Sequence, residues 1–160
     1  MTSARPPVRV ELTVPVDVHA PAEVVWQTVT DWASQGEWMV GTRVRPTSGG
    51  DGRRLGATIE AVTGVGPFGV TDRMEVVEWT PPRRCVVRHL GRVVRGEGVF
   101  EVLALGPERA RFVWSELLDI PLGRLGALGW PVVRPAFRAG LVFSLRRLER
   151  RCEAVYRSSA

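Results

Sequence analysis

The chain has 160 residues, 44% of them hydrophobic, which suits one domain with a real core. Its formal net charge is +5, and every one of its 22 basic residues is arginine, so a Schiff-base or P-loop lysine is excluded. The arginines are scattered and cluster mainly at Arg146, Arg147, Arg150 and Arg151, which fits a solvated helix end better than a nucleic-acid footprint.

"MTSARPP" (1–7) reads as a disordered arm, and residues 8–157 as a single domain. "VRVELTVPVDV" (8–18) alternates as a strand does. "APAEVVWQTVTDW" (20–32) then reads as a helix: Pro21 suits the first turn, Glu23 complements the dipole, and Val25, Val29 and Trp32 share a face. A short second helix is expected over 34–39. Strands are expected near 42–47, 56–63, 70–79, 83–90, 93–104 and 110–118, separated by the turn signals "SGGDG", "GVGPFG", "TPPRR" and "GPER". From 122 onward the period is helical. Leu141, Leu145, Leu148 and Cys152 form one stripe, whereas Pro131, Pro135 and several glycines predict a kinked or two-piece helix over 121–140. Strands joined by short turns imply an antiparallel sheet, and the C-terminal helix is the only element large enough to cover it.

No signal-peptide pattern or uninterrupted spanning run is present, so a cytoplasmic protein is expected. Cys85 and Cys152, with no C-x-x-C, read as packed thiols rather than as a disulfide or a zinc site; neither metal nor cofactor is expected.

The face that each strand turns inward can be read from its charges. Closing "LGR" (90–92) as a tight hairpin pairs Val87 with Gly96 and Cys85 with Gly98. One face then carries Cys85, Val87, His89, Gly96, Gly98, Phe100 and Val102, and the other carries Arg84, Arg88, Arg95, Glu97 and Glu101. The charged set belongs to solvent, so both glycines face inward. By the same reasoning Phe112, Trp114, Glu116 and Leu118 face inward, with Glu116 beside Gly98, and Asp72 and Met74 share the inner face of their strand. Asp72, His89 and Glu116 are the candidate acid–base residues, because a buried charge needs a partner, a shifted pKa or water. Each also has a plainer reading: a turn cap, a half-exposed residue near a hairpin, and a hydrogen-bond acceptor. In this register His89 and Glu116 lie several residues apart along separate strands, and no convergent constellation is expected.

"VDVHAPAEVVWQTVTDWASQGEW" (16–38), "DRMEVVEWTPPRR" (72–84), "GRVVRGEGVFEV" (91–102) and "FVWSELLDIPLG" (112–123), with the long terminal helix, resemble the START-like helix-grip (SRPBCC) superfamily, and within it the polyketide cyclase/dehydrase and lipid-transport group. The resemblance implies an α+β fold: a seven-stranded antiparallel sheet wrapped around a long C-terminal helix, with two short helices after the first strand. It also implies an internal apolar cavity. Expected ligand contacts are Trp38, Met39, Met74, Gly96, Gly98, Phe100, Trp114, Leu118, Phe137 and Leu141, with Phe68 and Trp130 near the mouth. The glycines would supply cavity volume or allow the helix to approach closely. The implied functions are a carrier or sensor of an apolar lipid or polyketide, an aromatase/cyclase or dehydratase acting in the same cavity, or a partner-binding module. A greasy rim of Phe68, Leu122, Leu125, Leu128 and Trp130 near arginines also suggests contact with a membrane surface.

Overall fold

Seven strands form one antiparallel sheet in the computed structural model, which describes residues 7–92, 94–120 and 123–159. They are β1 (Val8–Val18), β2 (Thr42–Pro46), β3 (Thr58–Thr63), β4 (Val70–Thr80), β5 (Arg84–Leu90), β6 (Arg95–Gly106) and β7 (Arg109–Ile120), in the order β1-β7-β6-β5-β4-β3-β2. Helix α1 (Ala22–Val29) and a 3-10 turn (Trp32–Glu37) follow β1, and α2 (Arg124–Ser159) closes the chain. This is the helix-grip arrangement expected from the sequence. The expected N-terminal arm falls largely on residues 1–6, outside the described residues.

α1 ends sooner than the apolar spacing predicts. Thr28 and Thr30 turn their hydroxyls back onto the carbonyls of Val24 and Trp26, at 2.8 and 2.7 Å. Such bonds compete with helix continuation. Trp32 is still buried, but from the 3-10 turn, where its indole donates to the Gly52 carbonyl.

β4 contains an irregularity between Val76 and Glu78. Asp72, Met74 and Val76 face inward before it; after it Trp79 pairs with Cys85 and meets Trp26 at 5.1 Å. A regular strand would have turned Glu78 inward, so the extra residue puts a half-buried indole packed against the core where a carboxylate would have stood.

Pro131 and Pro135 lie inside α2, which is one uninterrupted helix of 36 residues rather than two pieces. Each proline deprives one earlier carbonyl of its donor. Those carbonyls belong to Ala127, which is half-buried, and to Pro131, which is exposed, so water can reach them, and the helix continues. Its second half seats Leu141, Leu145, Leu148 and Cys152 in the core, the stripe read from the sequence. Cys85 and Cys152 are free and buried, and burial pushes their thiols up to about 12 and about 11.

Candidate functional site

β5 ends at Leu90 and β6 begins at Arg95, so four residues connect them instead of two. Pairing shifts accordingly: Cys85 faces Phe100, Val87 faces Gly98, and His89 faces Gly96. A shift of two leaves every side chain on the face expected for it, because the strand period is two. It also moves His89 two positions closer to the level of Glu116, which pairs with Gly98 across β6. The expectation that these two groups stay apart is thereby overturned.

His89 and Glu116 stand on β5 and β7, with β6 between them. They reach over β6 where it has no side chain. His89 Nε2 lies 3.3 Å from Glu116 Oε2, and His89 Nδ1 lies 2.6 Å from Asp72 Oδ2 on β4. The Trp114 indole donates to Glu116 Oε1 at 2.7 Å. Three residues placed on the inner face from the sequence thus form one chain, Asp72–His89–Glu116.

The two glycines serve this chain differently. A Cβ on Gly98 would lie 3.1 Å from Val87 Cγ2 and 3.4 and 3.6 Å from the two Glu116 carboxylate oxygens. Its missing side chain is the room that the Glu116 carboxylate lies against. Gly96 has φ +119°, and a Cβ there would stand 2.0 Å from the Leu117 carbonyl oxygen. Backbone geometry therefore demands that glycine.

The chain is well buried: the side chains of Asp72, His89 and Glu116 keep 15%, 7% and 10% of their exposure. Burial by itself pulls the His89 imidazole down. Hydrogen bonds accepted by Asp72 and then Glu116, with their negative charge, outweigh it and hold the group up at about 10. His89 is then an imidazolium at neutral pH. An imidazolium donates from both nitrogens, which is what two flanking carboxylates require. Among the described residues, two buried polar atoms close to this region lack a partner: the acceptor Asp72 Oδ1, and the donor Trp38 Nε1, whose ring meets Trp114 edge-on at 5.9 Å.

The expected ligand contacts divide into three groups. Trp38, Met39, Met74, Phe100 and Trp114 are buried, and Phe100 packs edge-on against Trp114 at 5.4 Å. Leu118, Trp130 and Phe137 are half-buried, the last two in contact at 6.2 Å, and Leu141 seals the core beneath them. Phe68 is 86% exposed in the 3-10 turn Gly66–Phe68. Two clefts lie elsewhere. One of about 340 Å³ between α1 and α2 is lined by Glu23, Gln27, Asp31 and Arg151; another of about 420 Å³ on the outer side of α2 is lined by Pro135, Arg138, Phe143 and Arg146. Neither contains an expected ligand contact. Sequence reasoning missed the Trp114–Glu116 bond, although a tryptophan two residues from an inward glutamate on one strand was a signal for it.

Residues 9–153 match the family model described as polyketide cyclase/dehydrase and lipid transport. Among solved structures, an aromatase/cyclase from a Streptomyces species is 18% identical, with a TM-score of 0.71 over 91% of this chain and 94% of that one. A protein from Thermus thermophilus is 21% identical, with a TM-score of 0.72 over 91% and 98%. The di-domain aromatase/cyclase BexL is 18% identical, with a TM-score of 0.66 over 91% of this chain and 50% of that one. At these identities the likeness is one of fold. No curated protein sequence matches the chain.

Proposed function

The chain belongs to the polyketide cyclase/dehydrase and lipid-transport family, and on that premise we propose that it holds an apolar small molecule of lipid or polyketide type between the inner face of the sheet and the first half of α2. One observation carries this reading. The core closes at Leu141, and beyond it the inward residues Trp130, Phe137 and Leu118 are only half-buried. An aromatic pair left half-covered above an apolar sheet suits a flat or greasy ligand. The unpartnered Asp72 Oδ1 and Trp38 Nε1 add an acceptor and a donor for its polar groups.

The charge of the chain narrows the ligand class. Two carboxylates around one imidazolium leave a net negative charge in a buried site. A carboxylate-bearing ligand is therefore disfavoured against its neutral, hydroxyl-bearing counterpart. Calorimetry with naphthalene, naphthol and naphthoate tests both statements. Naphthol is expected to bind best and naphthoate worst, and Trp130→Ala with Phe137→Ala should weaken naphthol roughly tenfold, the change that losing about 1.4 kcal/mol gives. Absence of binding by all three would remove the ligand site; equal binding by naphthol and naphthoate would remove only the charge argument.

A second reading, dehydration or aldol closure of that ligand, is favoured by the asymmetry of the chain. Asp72 holds His89 at 2.6 Å, whereas the contact to Glu116 is looser at 3.3 Å. A substrate oxygen entering at Nε2 would meet an oriented acid, with Glu116 beside it as base. In dehydration of a β-hydroxy ketone, Glu116 takes the α-proton, the new double bond forms, and the departing hydroxyl takes the Nε2 proton and leaves as water. Glu116→Gln should then abolish turnover of a β-hydroxy-ketone surrogate while naphthol still binds. Undiminished turnover would exclude Glu116 as the base.

A further inference from the structure

α2 is apolar on two sides. Its underside carries Trp130, Phe137, Leu141, Leu145 and Leu148 toward the sheet. The opposite side, at helical spacing, carries Leu125, Leu128, Val132 and Phe143, and these remain 75%, 76%, 80% and 54% exposed. Leu122, which the sequence also placed in a greasy rim, lies outside the described residues. A helix that is apolar on two opposite sides is ordinarily covered on both. Among the described residues only one side is covered, over the very half of the helix beneath which the ligand is proposed to lie.

Charge decides between the two obvious covers. From residue 120 to residue 148 there are five arginines, Arg124, Arg134, Arg138, Arg146 and Arg147, and no acidic residue. Arg124, Arg138 and Arg146 are exposed, and none forms an ion pair among the described residues. A second copy of this chain seated on the ridge would bring arginines against arginines with no carboxylate to separate them. An anionic lipid surface offers the opposite charge to the arginine heads and a hydrocarbon boundary to the leucines and valines between them.

We propose that the outer ridge of α2, centred on Leu128 and Val132, is a docking surface for an anionic membrane. The helix lies flat in the headgroup layer, with its apolar ridge down and its arginines spread at the level of the phosphates. The ridge does not depend on the ligand reading, because its residues are different and its test uses no ligand.

The test is flotation of the full chain with vesicles of phosphatidylcholine alone and of phosphatidylcholine mixed with phosphatidylglycerol. Binding is expected to the mixed vesicles at low salt, to be lost near about 0.5 M salt, and to be absent with phosphatidylcholine alone. Each of Arg124→Gln, Arg138→Gln and Arg146→Gln should weaken it roughly fivefold. Leu128→Glu with Val132→Glu should abolish it and leave the circular dichroism and melting temperature unchanged, since both side chains are exposed. No binding to the mixed vesicles, or full binding by the double glutamate variant, would overturn the proposal. So would light scattering that shows a wild-type dimer broken by Leu128→Glu, which would give the ridge to a second copy.

Discussion

His89 is the residue on which the inner face turns. Its value rises from 6.5 in the free side chain to about 10, so the stability it contributes is complete below pH 6.5 and is lost as pH climbs toward 10. Urea unfolding at stepped pH should show stability falling by a few kcal/mol over that window. His89→Gln should flatten the slope and lower stability at neutral pH; a slope unchanged by His89→Gln would mean that another group carries it. A proton-detected imidazole titration should find His89 still charged at pH 8, with the exposed His19 as a second signal. The glycines beside it can be ranked. Gly96→Ala meets a backbone carbonyl at 2.0 Å and should cost on the order of 2–4 kcal/mol. Gly98→Ala meets only side-chain atoms, the nearest at 3.1 Å, and should cost about 1 kcal/mol while lowering the His89 value by pushing Glu116 away. Equal losses at the two positions would contradict this division of roles.

The inward direction of Asp72, His89, Gly98 and Glu116 was legible in the sequence, because the charges on alternate positions of each strand leave only one face for water. Their convergence was not. It depends on whether two or four residues connect β5 to β6, and "LGRVVR" is compatible with either. The tight turn preserves every face yet leaves His89 level with Val94 instead of Gly96. Similar reasoning applies to α2. The buried stripe Leu141–Cys152 followed from period alone, but a proline pair predicted a break that solvent exposure makes unnecessary. Leu148→Ala should therefore cost about 2–5 kcal/mol, while Leu128→Ala should stay within about 0.5 kcal/mol of wild type. Pro131→Ala and Pro135→Ala should restore donors to two carbonyls. Slower amide exchange in the first half of α2, with little change elsewhere, is the expected reading; unchanged exchange there would mean that the prolines do not limit that half.

The sheet as a whole is closed by its most distant pairing. β1 lies along β7 from Val8 opposite Ile120 to Val18 opposite Ala110, and α2 packs over β1. Leu12, Val14 and Val18, exposed by 2%, 3% and 0%, are buried by elements that follow them by most of the chain. Removing residues 1–18 should consequently leave β7 as a bare edge and abolish cooperative unfolding, with aggregation as the visible result; a soluble truncated protein with a sharp melting transition would contradict this. By itself the sequence determined the seven strands, the long terminal helix, and which side of each strand turns from water, because these follow from periods of two and 3.6 and from the cost of burying charge. The tertiary structure alone decided that Asp72, His89 and Glu116 form one hydrogen-bonded chain. Groups on three strands meet only when pairing register, a loop length and an absent side chain on β6 agree, and no local pattern records that agreement.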